Sequence, residues 1–316
     1  MYEYDFHTYS VRRKRSTKKN VFSFLGICVV LLFVVWFIFG NKNNNKSQIE
    51  QKVLSTTQEE VNAGSKLGIV VRQALADATG EYSVVVKHLK TGESYSLNAH
   101  KIYDAGSLYK LWVMAEVFEQ IKEGKLSEDD ELKADIEELN KKFRIGTESA
   151  EFTEGEIDFT VGSALKQMIT ISHNYAALSL TAKVRLTSVK QFLADQGLSE
   201  SKVGEGDNAP VTSAFDISLF LEKLYREELA DSLSSEKMID LLKEQQLNNK
   251  LPKYLPESTL IAHKTGEIGE FTHDVGIVYT PNGEYIIVVL SKSNYPPGAE
   301  ERIAEVSRAV YEYFVH

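Results

Sequence analysis

Cysteine is almost absent from this 316-residue sequence, in which Cys28 is the only one. A lone cysteine forms no disulfide within the chain and leaves no cysteine-based metal site. His173, His263, His273 and Asp274 are the residues that could suggest another kind of metal site. No metal-ligand spacing such as H-E-x-x-H accompanies them, so we predict neither a metal nor a cofactor.

Basic residues are also fewer than acidic ones. The chain has 36 Lys and Arg against 45 Asp and Glu, which gives a net charge of −9. The deficit lies after residue 20, where 30 basic residues stand against 43 acidic ones. Because an acidic surface repels a phosphate backbone, this composition argues against nucleic-acid binding.

Charge is missing altogether from residues 21–40, an apolar run as long as a membrane-spanning helix. Six Lys and Arg precede it, and the positive-inside rule then puts residues 1–20 in the cytoplasm. A cleaved signal peptide is the alternative, but the run is long for one and no small-residue cleavage site follows. We therefore expect a single-pass anchor in the cell membrane, a polar linker over 41–66 and an extracytoplasmic domain over 67–316.

Strand patterns lie at both ends of that domain, and helical patterns fill its middle. The strand patterns cover 82–89, 94–97, 259–263, 273–280 and 284–291. Apolar stripes at helical spacing open the domain at 67–78 and close it at 303–314, and 125–230 is mostly helical. We expect an α/β (α+β) fold, in which one antiparallel sheet is flanked by the terminal helices and a mostly helical lobe is inserted.

A serine and a lysine open the most apolar helix of the domain. Gly106 ends an extended stretch, Ser107 would begin the helix, and Lys110 follows one turn later. Residues three apart share a helix face, so we expect the Ser107 hydroxyl and the Lys110 amine to meet. Burial lowers the pKa of a lysine, and a neutral amine beside a hydroxyl is a base beside a nucleophile.

Two further polar peptides interrupt apolar segments. Residues 172–174 (Ser-His-Asn) divide a buried helical run, where a simple helix cap is the alternative interpretation. Residues 264–266 (Lys-Thr-Gly) follow a strand and suit a substrate carboxylate, with a glycine that lets a ligand approach the backbone. Residues 90–92 are also Lys-Thr-Gly, but they lie in a short hairpin connection and are interpreted as a turn.

The order S-x-x-K, S-x-N, K-T-G resembles that of the penicillin-recognising serine hydrolases, and most closely the class A β-lactamases. The resemblance covers residues 67–316 and implies the β-lactamase/transpeptidase-like fold of that family. It also implies a role for each motif residue. Ser107 would be the acylated nucleophile and Lys110 its general base, and Ser172 would relay a proton to the leaving nitrogen with help from Lys264. Asn174 would hydrogen-bond the side-chain amide of the substrate, Lys264 and Thr265 would bind its carboxylate, and Gly266 belongs to the same substrate-binding peptide. The backbone amides of Ser107 and Glu267 would form the oxyanion hole.

Two departures from the family pattern matter. His173 stands where the family has an Asp that serves structure more than chemistry, so we expect it to be tolerated. The loop at 198–210 is short and lacks the family's E-x-x-L-N pattern, whose Glu activates the deacylating water. Glu205 and Asp207 are the only stand-ins there, and both have the simpler interpretation of solvated loop residues. Without a placed base, deacylation loses general-base assistance of about 10²–10⁴-fold.

Three functions remain open from the sequence. The first is a serine hydrolase acting on amide bonds, either a slow β-lactamase or a D-Ala-D-Ala carboxypeptidase or related peptidoglycan hydrolase. The second is a β-lactam-binding sensor without turnover, and the third is a structural protein of the cell wall. The substrate expected in the first case is a small molecule or a peptidoglycan stem that bears a carboxylate. The oligomeric state is not indicated.

Overall fold

The computed structural model describes residues 64–204, 206 and 208–316. The predicted cytoplasmic tail, the apolar run at 21–40 and all but the last three residues of the predicted linker lie outside the described residues. Within the described part of the chain, no helix has the length and apolar character needed to cross a membrane.

Strands at both ends of the described chain enclose a region that is mostly helical. The N-terminal part contains α1 (Lys66–Ala74), β1 (Glu81–His88), β2 (Ser94–Leu97), β3 (Ile102–Asp104), a 3₁₀ turn (Gly106–Leu108) and α2 (Tyr109–Lys122). The middle contains β4 (Glu131–Asp135), α3 (Ile136–Lys142), β5 (Glu156–Thr160), α4 (Val161–Thr170), α5 (Asn174–Val184), α6 (Leu186–Asp195), β6 (Val211–Ser213), α7 (Ala214–Tyr225) and α8 (Ser232–Lys243). The C-terminal part contains β7 (Ile261–Ile268), β8 (Phe271–Val278), β9 (Tyr285–Lys292) and α9 (Pro296–Val315).

Five strands form one antiparallel sheet in the order β2-β1-β9-β8-β7. The N-terminal strand β1 pairs along its whole length with β9, with Val85 opposite Val288. The sheet is therefore built from both ends of the domain, as the sequence predicts. Strand β7 lies at the edge, so one row of its backbone N–H and C=O groups is unpaired within the sheet.

Both faces of the sheet are covered, which explains why its central strands are apolar without alternation. Val84 and Val86 pack in one apolar cluster with residues of the terminal helices α1 and α9. Val85 points to the opposite face and joins a second cluster, which contains α2 and the helices of the lobe. The predicted arrangement of an antiparallel sheet flanked by terminal helices, with an inserted helical lobe, is confirmed.

The structure corrects the sequence analysis in two places. The middle region also contains a two-stranded antiparallel sheet of β4 and β5, in which Leu132 lies opposite Phe159. The third motif does not follow a strand but lies inside β7, because pairing with β8 continues as far as Ile268 opposite Phe271. The second correction places residues 264–266 on the edge strand itself.

Candidate active site

The predicted nucleophile lies in a tight turn against the edge strand. Ser107 is the middle residue of the 3₁₀ turn and lies two residues before Tyr109, the first residue of α2. Gly106 has φ of +49°, and a Cβ there would lie 2.8 Å from the backbone nitrogen of Glu267. A Cβ on Gly266 would lie 2.8 Å from the carbonyl oxygen of Ala105. Glycine at both positions therefore lets the turn approach β7 and puts Ser107 beside the third motif.

This close approach also revises the role expected of Gly266. We expected that glycine to make room for a ligand. In the structure, the space on its Cβ side is taken by the backbone of the turn and by the side chain of Leu108. Gly266 thus serves first to position the predicted nucleophile.

Lys110 is completely buried and points to the second motif. Its Nζ atom lies 2.5 Å from the carbonyl oxygen and 3.1 Å from the hydroxyl oxygen of Ser172, and 2.9 Å from Oδ1 of Asn174. The expected hydrogen bond between Lys110 and the Ser107 hydroxyl is not found among the described residues. Since α2 begins at Tyr109, Ser107 precedes the helix rather than sharing its face, and the amine is engaged with three other atoms.

Ser172 adopts an unusual backbone conformation between α4 and α5. Its φ of +59° is in the left-handed region, which costs a non-glycine residue roughly 1–3 kcal/mol. The conformation turns both oxygen atoms of Ser172 toward Lys110, and the hydroxyl oxygen also lies 3.0 Å from Nζ of Lys264. The Ser172 hydroxyl is therefore held between two lysine amines.

His173 acts as a helix cap. Its Nδ1 atom accepts a hydrogen bond of 3.1 Å from the backbone N–H of Ala176, which makes it the N-cap of α5. The ring also meets Phe159 edge-on, with 5.8 Å between the centroids. An aspartate would satisfy the same amide. The structure thus gives a physical reason why histidine fits at this position.

The side-chain amide of Asn174 makes one hydrogen bond with Lys110 and another with Glu151. Its Oδ1 accepts from Lys110, and its Nδ2 donates to Oε2 of Glu151 at 3.2 Å. Glu151 precedes the second motif by more than 20 residues and belongs to none of the three sequence motifs. An isolated glutamate in an acidic loop carries no sequence pattern, so only the fold reveals this contact.

Lys264 completes the polar cluster from the edge strand. It is completely buried, and its amine donates to the Ser172 hydroxyl and, at 3.0 Å, to the carbonyl oxygen of Thr265. Its pKa is lowered to about 7, mainly by burial and against the attraction of Asp274. The pKa of Lys110 is lowered to about 6, first by burial and then by repulsion from Lys264. At neutral pH the Lys110 amine is therefore mostly unprotonated.

Glu267, whose identity was not expected to matter, is bonded to a third buried lysine, Lys250. The Nζ atom of Lys250 lies 2.5 Å from Oε1 of Glu267 and 3.1 Å from Oδ1 of Asn249. Lys250 is completely buried, whereas the Glu267 side chain is 53% exposed. Lys250 was not predicted from the sequence, because a single lysine between α8 and β7 has no periodic or motif context.

The histidines that suggested a metal site are engaged in other contacts. His263 pairs through Nδ1 with Asp274 at 2.9 Å and through Nε2 with Asn248 at 3.0 Å. His273 accepts from the Ser291 backbone and donates to the carbonyl oxygen of Asp104. Burial lowers the pKa of His273 to about 4, so its ring is neutral. Over residues 64–204, 206 and 208–316, no group of three or more His, Cys, Asp or Glu could hold a metal ion.

Four of the predicted site residues are joined directly by hydrogen bonds: Lys110, Ser172, Asn174 and Lys264. Ser107 and Glu267 are brought together by the backbone approach at Gly106, and Thr265 contacts Lys264 through its carbonyl oxygen. The loop residues Glu205 and Asp207 lie outside the described residues. The chemical roles of all these residues stay predictions, but three distant peptides do form one polar cluster.

Comparisons with known proteins agree with this architecture. A family model described as "Beta-lactamase enzyme family" matches residues 67–314. β-Lactamase VEB-1 of Pseudomonas aeruginosa is 31% identical over 78 residues, which are 22% of this chain and 26% of that protein, so the match spans about a quarter of its length.

Two solved structures have the same fold. A β-lactamase from Sphaerobacter thermophilus is 20% identical with a TM-score of 0.69, covering 79% of this chain and 97% of that one. A variant of PBP-A in an acyl-enzyme complex with penicillin G is 24% identical with a TM-score of 0.68, covering 79% of this chain and 96% of that one.

Proposed function

The chain belongs to the beta-lactamase enzyme family, and from this premise we propose that it is a serine hydrolase of amide bonds that forms an acyl-enzyme on Ser107. The substrates proposed are β-lactams, which present an amide beside a carboxylate. Hydrolysis is proposed to be slow, because the loop at 198–210 lacks the family's deacylating glutamate pattern.

One observation carries this proposal. The Ser172 hydroxyl oxygen lies 3.1 Å from the amine of Lys110 and 3.0 Å from that of Lys264, and the pKa of both amines is lowered, to about 6 and about 7. Two buried amines that lose a proton near neutral pH suit proton transfer far better than structural support.

The hydrogen bonds of the Lys110 amine show how it can act as the base in acylation. A neutral Lys110 amine has two N–H donors and one lone pair. With the carbonyl oxygen of Ser172 and Oδ1 of Asn174 as its acceptors, the lone pair faces the Ser172 hydroxyl, 3.1 Å away, and is the position at which Lys110 takes a proton once substrate binds. On substrate binding, Lys110 takes the proton of the Ser107 hydroxyl, Oγ attacks the lactam carbonyl carbon, and the carbonyl oxygen becomes negative. The hydrogen bond from Ser107 to Lys110 forms in this step, since catalytic hydrogen bonds often tighten only in the substrate complex.

The leaving nitrogen needs a proton when the lactam C–N bond breaks. In the proposal, the Ser172 hydroxyl donates that proton and is reprotonated by Lys264, whose amine it contacts. Lys264 and Thr265 bind the substrate carboxylate, and the backbone N–H groups of Ser107 and Glu267 stabilise the oxyanion. The positions of the 3₁₀ turn and of the edge strand support this role, because both leave backbone N–H groups without partners in helix or sheet.

Two variants of the function share the same acylation step. A D-Ala-D-Ala carboxypeptidase would apply the same chemistry to a peptidoglycan stem, and a β-lactam-binding sensor would keep the acyl-enzyme without turnover. The short loop at 198–210 favours both over a fast β-lactamase. We also propose that residues 21–40 anchor the chain in the membrane, with residues 67–316 extracytoplasmic, on the strength of the uncharged run and the preceding cations.

The test is covalent labelling of the full-length chain by a fluorescent penicillin, followed by hydrolysis of a chromogenic cephalosporin. We expect labelling of the wild type and none of Ser107→Ala. Labelling that persists in Ser107→Ala would refute the assignment of the nucleophile. Steady cephalosporin hydrolysis that disappears in Lys110→Ala would exclude the sensor.

A further inference from the structure

We propose that the carboxylate of Glu267 is a built-in competitor for the substrate carboxylate, so that a substrate bearing this group must displace Glu267 before it acylates Ser107. The inference rests on the proposed function, because it concerns how a substrate of Ser107 enters the site. Glu267 directly follows the third motif, residues 264–266, inside the edge strand β7. A residue with its own negative charge therefore adjoins the peptide that is proposed to bind a negative group.

The side chains of Thr265 and Glu267 share one face of β7. Successive side chains of a strand point to opposite faces, so residues 265 and 267 point the same way, about 7 Å apart along the strand. On the opposite face, the Cβ side of Gly266 meets the turn that carries the nucleophile, at Ala105 and Leu108. The Glu267 carboxylate thus extends from the same face as Thr265, one of the two residues proposed to bind the substrate carboxylate.

A buried cation fixes where the Glu267 carboxylate stands. Its Oε1 atom lies 2.5 Å from Nζ of Lys250, which is completely buried. The backbone that carries Lys250 is held on two sides, because the N–H of Leu251 donates to Oδ2 of Asp274 at 3.0 Å and its carbonyl oxygen accepts from the Ser307 hydroxyl at 2.7 Å. The ammonium therefore offers one fixed position to an anion, and an unpaired charge there is strongly disfavoured.

The charges of this pair act on the amine of Lys264. Burial is the main cause of the lowered pKa of Lys264, and among the smaller causes repulsion from Lys250 lowers that pKa and attraction by Glu267 raises it. A substrate carboxylate that binds Lys264 consequently meets the negative charge of Glu267. Like charges at this separation repel, so the resting site disfavours the group that Lys264 and Thr265 are proposed to bind.

The Glu267 side chain has room to leave. It is 53% exposed, so rotation about its side-chain bonds takes the carboxylate into solvent. The backbone of β7 does not have to move, since its pairing with β8 extends to residue 268. A substrate carboxylate then replaces Glu267 beside Lys250 and keeps the buried ammonium paired. A neutral group brings no such replacement, so Glu267 stays in place and the neutral compound avoids the repulsion.

Benzylpenicillin and its methyl ester provide the probe, because they differ only at the carboxylate. The second-order rate constant for acylation of the full-length chain is measured with each, and the acid-to-ester ratio is compared between variants. Glu267→Gln removes the charge and keeps the size of the side chain. Glu270→Gln is the matched control, because Glu270 is an exposed glutamate in the turn after β7 and pairs with Lys292 at 3.8 Å instead of Lys250.

We expect Glu267→Gln to raise the acid-to-ester ratio by at least about fivefold, the factor that one charge pair about 4 Å apart supplies in water, and Glu270→Gln to leave the ratio unchanged. An unchanged or lower ratio in Glu267→Gln would overturn the inference and leave the proposed function standing. An equal rise in Glu270→Gln would overturn it as well, since the general surface charge would then be the cause. Failure of both compounds to acylate Ser107 in the wild type would overturn both proposals.

Acetate provides a second measurement, which does not depend on the stability of Glu267→Gln. Glu267→Ala leaves space beside Lys250, where acetate supplies the missing carboxylate. At constant ionic strength, we expect acetate to raise the thermal unfolding temperature of Glu267→Ala and to slow its acylation by benzylpenicillin, with neither effect in the wild type. A response to acetate that is the same in the two proteins, including none in either, would overturn the inference.

Discussion

The Lys110 amine lies 2.5 Å from the carbonyl oxygen of Ser172 and 3.1 Å from its hydroxyl oxygen. A helix residue from the first motif thereby holds a residue of the second motif in the left-handed region, with φ of +59°. The strained conformation is confined to Ser172 and is held by its contacts with Lys110, as is common at functional sites. The same amine is the base of the proposed acylation, so structure and chemistry depend on one side chain.

The rate of acylation is expected to depend on pH in the shape of a bell. Lys110 must be neutral to accept a proton, so the rate rises as pH passes its pKa of about 6. Lys264 must be protonated to resupply Ser172, so the rate falls as pH passes its pKa of about 7. The check is the acylation rate by benzylpenicillin from acid to alkaline pH. Lys264→Arg is the control, because a guanidinium stays protonated and should remove the alkaline fall. A wild-type rate that rises steadily above neutral pH would contradict the assignment.

Gly106→Ala is expected to reduce acylation by more than its effect on stability explains. The new Cβ would stand 2.8 Å from the backbone nitrogen of Glu267, so the turn that carries Ser107 must move away from β7. Gly92→Ala is the matched control: Gly92 also has positive φ, of +76°, but nothing lies within 4 Å of a Cβ there. Both variants should lose about 1 kcal/mol of unfolding free energy from backbone strain. Only Gly106→Ala should lose labelling, and equal labelling of the two variants would show that the close approach is unimportant.

Removing the charge of Glu267 is expected to lower the unfolding free energy more than removing the charge of Lys250, its partner in the ion pair. Glu267→Gln leaves a completely buried ammonium with weaker partners, and we expect a loss of about 1–3 kcal/mol in unfolding free energy. Lys250→Met removes the buried charge and leaves a half-exposed carboxylate, so its cost should be smaller. Denaturant unfolding of the two single variants and the double variant measures this. A larger loss in Lys250→Met than in Glu267→Gln would contradict the account.

His173→Asp is expected to keep both fold and labelling. An aspartate can accept from the backbone N–H of Ala176 as Nδ1 of His173 does. His173→Ala removes the cap and should cost about 1 kcal/mol of unfolding free energy. Thermal unfolding and the acylation rate check the two variants together. Loss of acylation in a stable His173→Asp protein would show that the imidazole has a chemical role.

The motif order was enough to predict which peptides meet. Ser107, Ser172 and Lys264 stand in short patterns whose polar residues interrupt apolar segments, and such interruptions need partners. The paired strands β4 and β5 were missed although Leu132 and Ile157 are buried within alternating patterns. Each pattern is short, and 20 residues separate the two strands.

Glu151 and Lys250 could not be predicted from the sequence. Each is a single charged residue in a connecting segment, without a helical or strand period. Their importance comes from contacts with Asn174 and Glu267, and those contacts exist only after the fold brings separate segments together. The prediction of a direct hydrogen bond between Ser107 and Lys110 was wrong for a similar reason. The position at which α2 begins decides whether the two side chains lie on the same helix face, and the sequence does not fix that position closely.

The most direct test of the central claim is the intact mass of the full-length chain during incubation with benzylpenicillin. We predict a rapid gain of one penicillin mass on Ser107, absent in Ser107→Ala, followed by slow return to the original mass. A chain that keeps its original mass at every time point, or that gains the penicillin on another residue, would contradict the account.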